Sequence, residues 1–190
     1  LINISGSAVK VSLLDGIQNI MPASIGSDEQ NQSSNLVDAY KRNELEEKTG
    51  LGIFALSAIL VDKAEASEAL KANVVWSLGL DNPKYLLSSL QLNDFRLGKS
   101  INQEIDVKAE KGAYFLNSDI ILEKEFSKEW MIIANVNQNH SSIAKLSKQI
   151  QEESTLIDII NDDINAGTRR LVDLSSASDA IQITSDNLKD

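Results

Sequence analysis

Residues 51–61 read LGIFALSAILV, where only Gly52 and Ser57 lack a substantial apolar side chain or an alanine methyl. No other stretch constrains the fold as tightly. A transmembrane helix needs about 20 apolar residues, so this run is too short to cross a bilayer as a helix, yet it matches the roughly 9–11 residues of one membrane-spanning strand. In an aqueous fold it must be covered, because a contiguous exposed apolar patch of this size is rare. Leu51, Phe54, Leu56 and Ile59 are therefore expected inside. The following DKAEASEALKA carries Ala64, Ala66, Ala69 and Leu70. The two stretches together predict a buried core helix with a polar extension.

The 190 residues suffice for one domain, 1–190, with a substantial core. There are 28 acidic and 18 basic residues, a formal net charge of −10. Such a surface repels phosphate, and the densest basic pairs are only Lys41-Arg42 and Arg169-Arg170, which argues against a nucleic-acid partner. The sequence has no cysteine, excluding disulfides, zinc-thiolate sites and thiol nucleophiles. No basic stretch leads into an apolar run near Leu1, so no secretory signal is read there.

The clearest periodicity is that of strands. NVVWSLGLD alternates, with Val74, Trp76, Leu78 and Leu80 on one face and Val75, Ser77 and Gly79 on the other. WMIIANVNQ does the same with Trp130, Ile132, Ala134 and Val136. Ile101, Ile105 and Val107 predict a third strand with one wet face, and residues 114–116 a fourth. Leu1 to Val11 reads as a short strand or extended arm. Leu13, Leu14, Ile17, Ile20 and Met21 recur at helical spacing behind a Ser12/Asp15 capping pair, predicting a short helix ended by Pro22. Residues 23–34 read as a loop. Residues 35–50 predict an amphipathic helix, or a loop and helix, ending near Gly50. Ile143, Leu146 and Ile150 predict another helix. Leu156, Ile159 and Ile160 predict a short one stopped by Gly167, and residues 169–187 read as a Ser-rich hairpin. The sum is an α+β fold with a twisted, mostly antiparallel sheet and short surrounding helices.

Catalytic patterns are sparse. His140, the single histidine, lies in NQNHSS and reads as a surface residue. Adjacent Ser141 and Ser142 do not make a triad, and no G-x-S-x-G elbow accompanies them. Asp158, Asp162 and Asp163 could offer oxygen ligands to a divalent cation, but they lack EF-hand spacing and read as a solvated face, as do Glu44, Glu46 and Glu47. TGLGIF lacks a phosphate-binding fingerprint. These observations predict a non-enzyme without cofactor or metal.

The order of segments TGLGIFALSAILV, ALKANVVWSLGLD, EWMIIANVNQNHSSIAKL, LIDIINDDI and LVDLSSASDAIQITSDN resembles that of the pore-forming N-terminal domain of bacterial gasdermins, over most of residues 12–190. The resemblance implies a gasdermin N-domain-like fold and a cell-death effector of antiphage defence. Such a protein waits in the cytoplasm until a protease releases it, then binds membrane lipid and homo-oligomerises into a β-barrel pore. The membrane-facing candidates it implies are Leu51, Ile53, Phe54, Leu56, Ile59, Leu60, Val74, Trp76, Leu78, Trp130 and Ile132. The alternative is a non-enzymatic structural subunit of a virion or secretion-like particle.

Overall fold

The computed structural model describes residues 1–58, 70–152 and 154–177. The expectations for Ile59, Leu60 and Ala64–Ala69, and for the chain beyond Ala177, lie outside these. The chain divides into two units, Leu1–Gln151 and Glu152–Asp190.

The first unit is an α+β structure built on two antiparallel sheets. Its elements are β1 (Val9–Ile20), α1 (Ser27–Gln32), α2 (Ser34–Tyr40), β2 (Lys41–Glu46), β3 (Leu51–Leu56), β4 (Lys71–Leu78), β5 (Lys84–Leu86), α3 (Leu92–Arg96), β6 (Asp106–Lys108), β7 (Gly112–Leu122), β8 (Met131–Asn139) and α4 (His140–Glu152). One sheet runs β1-β7-β5 and the other β6-β2-β3-β4-β8. The second unit contributes one described helix, α5 (Leu156–Ala177).

Strand β7 explains how the two sheets share a core. Ala113, Tyr114, Phe115 and Leu116 are all buried. Alternate strand residues point to opposite faces. Tyr114 and Leu116 therefore join Leu45, Phe54, Val75 and Leu87 in one cluster. Ala113 and Phe115 join Leu86 and Ile101 in another, flanked by Leu14, Leu92 and Phe95. The first cluster draws Leu45, Phe54 and Val75 from the five-stranded sheet, so it is where the sheets meet. The Tyr114 hydroxyl donates to the Gly50 carbonyl at 2.7 Å, and burial pushes its pKa well up. It is held as a neutral donor at ordinary pH.

Several expectations change. Residues 12–21 are not a helix but part of β1, which pairs with β7 from Val9↔Leu122 to Ile20↔Gly112. The apparent helical spacing arises because both faces of β1 are partly covered, which blurs the period of two. Gly16 marks the strand instead: a Cβ there would fall 2.1 Å from the Tyr114 carbonyl oxygen. The run from Leu51 is likewise strand β3, not the start of a helix. A strand with apolar residues on both faces loses its alternation and reads as continuous apolar sequence. The expected helix over 35–50 is confined to α2, after which β2 alternates buried Lys41, Asn43 and Leu45 with half-exposed Arg42, Glu44 and Glu46. The strand expected from Ile101 shrinks to β6, and part of the expected loop over 23–34 forms α1. Helix α5 passes through Gly167, and residues 169–177 are helical, not one arm of a hairpin. One glycine inside a helix costs about 1 kcal/mol against alanine, too little to stop it.

Turn chemistry fixes the β2–β3 hairpin, whose register runs from Lys41↔Leu56 to Glu46↔Leu51. Gly50 adopts φ +72°, and a Cβ there would collide with the Tyr85 hydroxyl. The Thr49 hydroxyl donates to the Glu46 carboxylate, which also accepts the Thr49 N–H at 3.0 Å. β3 then pairs with β4 through Gly52↔Val75, Ile53↔Val74 and Phe54↔Asn73.

Candidate functional site

The candidate region is the five-stranded sheet around β3 and β4. Directly paired residues share a face, so the register sorts the side chains. Ile53, Val74, Trp76 and Leu78 lie on the face that also carries Arg42 and Glu44. Phe54 and Val75 point the other way, into the core shared with β7. The apolar residues singled out in the sequence therefore do not form one surface. Leu51, Phe54, Leu56, Val74 and Trp76 are buried, and Ile53, Leu78, Trp130 and Ile132 are half-buried. Trp76 and Trp130 belong to opposite sides of the sheet. Trp130 and Ile132 pack against the core cluster, whereas Trp76 shares the Val74 face.

Each indole is held by a polar partner. Trp76 Nε1 donates to Asn135 Oδ1 at 3.0 Å, and Trp130 Nε1 donates to Asp15 Oδ2 at 2.7 Å. The second bond ties β1 to the residue preceding β8. Asp15, read from the sequence as part of a helix cap, instead anchors an aromatic ring 115 positions away.

Beside the Ile53 face lies a cleft of about 580 Å³, lined among others by Arg42, Glu44, Ile53, Lys71, His140 and Ile143. Its charged edge comes from one pair across β2 and β6 and one within β2. Arg42 bonds Asp106 at 3.2 Å and Glu44 at 2.9 Å. The hydrogen bond from Arg42 holds the Asp106 carboxyl below the usual carboxylate range, and the same bond raises the guanidinium. Both groups stay ionised and committed to each other, which suits a fixed strand edge better than proton transfer. The sequence signal for this edge was the alternation in KRNELE, hidden by its charged content.

His140 opens α4 and is exposed. Asn139 caps that helix, its Oδ1 accepting the Ser142 N–H at 2.9 Å. No carboxylate or hydroxyl within hydrogen-bonding distance of the imidazole appears among the described residues. Among those residues, no three His, Asp or Glu side chains converge as a metal site, and no helix is long and apolar enough to cross a membrane.

A second polar cluster, unforeseen in the sequence, surrounds buried Lys41. Its Nζ lies 2.7 Å from Gln30 Oε1 and 2.7 Å from Asp38 Oδ1. Burial pushes the Asp38 pKa up, but hydrogen bonds from Lys41 and Gln30 and the charges of Lys41 and Lys111 outweigh it, so the carboxyl sits below its ordinary value. This cluster secures α1 and α2 to the start of β2.

These features define an α+β protein of two antiparallel sheets whose most apolar hairpin, β3–β4, runs beside an open cleft. No family model matches the sequence, and no curated protein shows significant similarity to it.

Proposed function

We propose that the chain is a gasdermin-like pore-forming cell-death effector, held in the cytoplasm until proteolysis lets it reach the membrane, bind lipid and oligomerise into a β-barrel. The observation that carries this reading is the β3–β4 pair. A barrel wall needs strands of about 9–11 residues with apolar side chains facing lipid and polar ones facing the lumen. In β4, Ala72, Val74, Trp76 and Leu78 alternate with Asn73, Val75 and Ser77. β3 is six residues long, and the sequence continues apolar through Ile59, Leu60 and Val61. Lengthening both strands outward from their present pairing would give a hairpin of bilayer-spanning length, with Ile53, Val74, Trp76 and Leu78 sharing one face.

The test is dye release from liposomes containing anionic lipid, by the chain before and after limited proteolysis. The expected result is release after cleavage. Ile53 is half-buried and tolerates substitution better than Val74 or Trp76. Ile53→Arg places a charge costing about 2–4 kcal/mol at the bilayer midplane in every subunit. It should lower release at least tenfold while circular dichroism stays unchanged. Cleaved wild-type protein inert on liposomes of several compositions overturns the reading and favours the assembly subunit.

A further inference from the structure

Helix α5 carries an apolar seam of largely exposed side chains. Ile157, Ile160, Ile164, Gly167, Leu171 and Leu174 recur at steps of three and four. A 3.5-residue repeat is the signature of a coiled-coil interface, not of a helix lying on a sheet. Ile164 is 56% exposed, Leu171 65% and Leu174 70%. Leu156 is the one buried residue of the helix. A 22-residue helix in water draws most of its stability from packing one face. Here that face stands open.

From this we infer that α5 pairs with α5 of a second copy of the chain, in antiparallel orientation. Two observations select the occupant and the direction. The first is size. A parallel pair would place Gly167 against Gly167, leaving a gap in the middle of the seam. An antiparallel pair sets Ile164 against Gly167 of the other copy, twice by symmetry. The flanking layers then match Ile160 with Leu171 and Ile157 with Leu174. A Cβ built on Gly167 meets nothing within 4 Å, so this position is open to receive a larger side chain.

The second observation is charge. Asp163 and Arg170 stand beside the seam, each directly preceding a seam residue, Ile164 and Leu171. Neither has an ion-pair partner among the described residues. In the antiparallel register each Asp163 flanks Arg170 of the other copy, giving two symmetric pairs. In the parallel register Asp163 meets Thr168 and the complementarity is lost. A lipid surface fits less well. Helices that lie on membranes are rich in Lys and Arg on the polar face, and here Asp158, Asp162, Asp163 and Asp173 outnumber Arg169 and Arg170.

The pairing does not rest on the pore reading, because it is measured on the whole chain without lipid. Sedimentation equilibrium should show a reversible dimer. Asp163→Arg should weaken it about tenfold through two lost pairs and two new repulsions. Asp163→Arg combined with Arg170→Asp should restore it, which helix destabilisation alone would not do. Direction is read by cross-linking, which is clean because the natural sequence has no cysteine. Under mild oxidation, Ile157→Cys chains mixed with Leu174→Cys chains should yield the mixed disulfide. Each variant alone should remain mostly unlinked. A wild-type chain that stays monomeric at high concentration overturns the inference. So do disulfides formed within each single variant but not between them, and a charge-swapped double variant no tighter than Asp163→Arg.

Discussion

Strand β3 and helix α5 both carry large aliphatic side chains, and the fold treats them oppositely. In β3, Leu51 and Phe54 are completely buried, and sheet neighbours flank the strand on both sides. In α5, Ile164, Leu171 and Leu174 stand largely in solvent. The difference is one of periodicity more than hydrophobicity. A strand that offers apolar groups on both faces has to sit between layers. A helix with one main apolar seam can wait for one partner.

The sharpest way to break this comparison is to remove one side chain from each segment and measure unfolding of dilute protein by denaturant. Phe54→Ala should cost about 3–5 kcal/mol, as expected for an aromatic ring lost from a packed core. Leu171→Ala should stay within about 0.5 kcal/mol, as for an exposed position. Equal costs would mean that α5 is covered within the single chain.

Charged residues should divide in the same way. Asp38→Asn leaves the buried Lys41 ammonium with a weaker partner and should cost about 1–3 kcal/mol at neutral pH. Asp162→Asn on α5 should change stability by less than about 0.5 kcal/mol. The pH dependence gives a further check. The folded-state pKa of Asp38 lies below its unfolded value, so its contribution is complete above the unfolded pKa and disappears as pH falls through the folded one. The stability gap between wild type and Asp38→Asn should therefore close in acid, below about pH 4. A gap independent of pH would remove the Lys41 pairing as its cause.

The smallest expected effect has opposite signs in the two regions. Gly167→Ala should stabilise the single chain by up to about 1 kcal/mol, through helix propensity alone. Gly50→Ala should destabilise by about 1–2 kcal/mol from its left-handed backbone, before any clash with Tyr85 is counted. Thermal melts of the two variants would show it. Loss of stability in Gly167→Ala would contradict an uninterrupted α5.

These contrasts also explain what the sequence disclosed. Strands β4 and β8 were legible because Trp76 and Leu78, or Ile132 and Ala134, alternate with residues of different character. The helix at α4 was legible from Ile143, Leu146 and Ile150. β3 was not, since Phe54 and Leu56 on the core face alternate with Leu51, Ile53 and Ala55, apolar too, so no polar residue marks the period. β1 was not, because Leu13, Leu14, Ile17 and Ile20 satisfy a helical template and only the distant β7 decides between the two. The charged edge at Arg42, Glu44 and Asp106 and the Lys41 cluster depend on pairings between segments that no local pattern encodes. The length of α5 was hidden by giving Gly167 the weight of a terminator.

The pairing of β1 with β7 also sets an order of events at the ribosome. Val9 finds its partner only at Leu122. At about 5–20 residues per second, the first strand waits on the order of 5–20 s for its mate to be synthesised. The β2–β3 hairpin has no such delay, since its strands are joined by four residues. During that interval the half-apolar β1 segment has no partner strand, and it is open to chaperones and to other nascent chains. Crowding on the polysome should therefore harm the yield of this protein more than crowding after release.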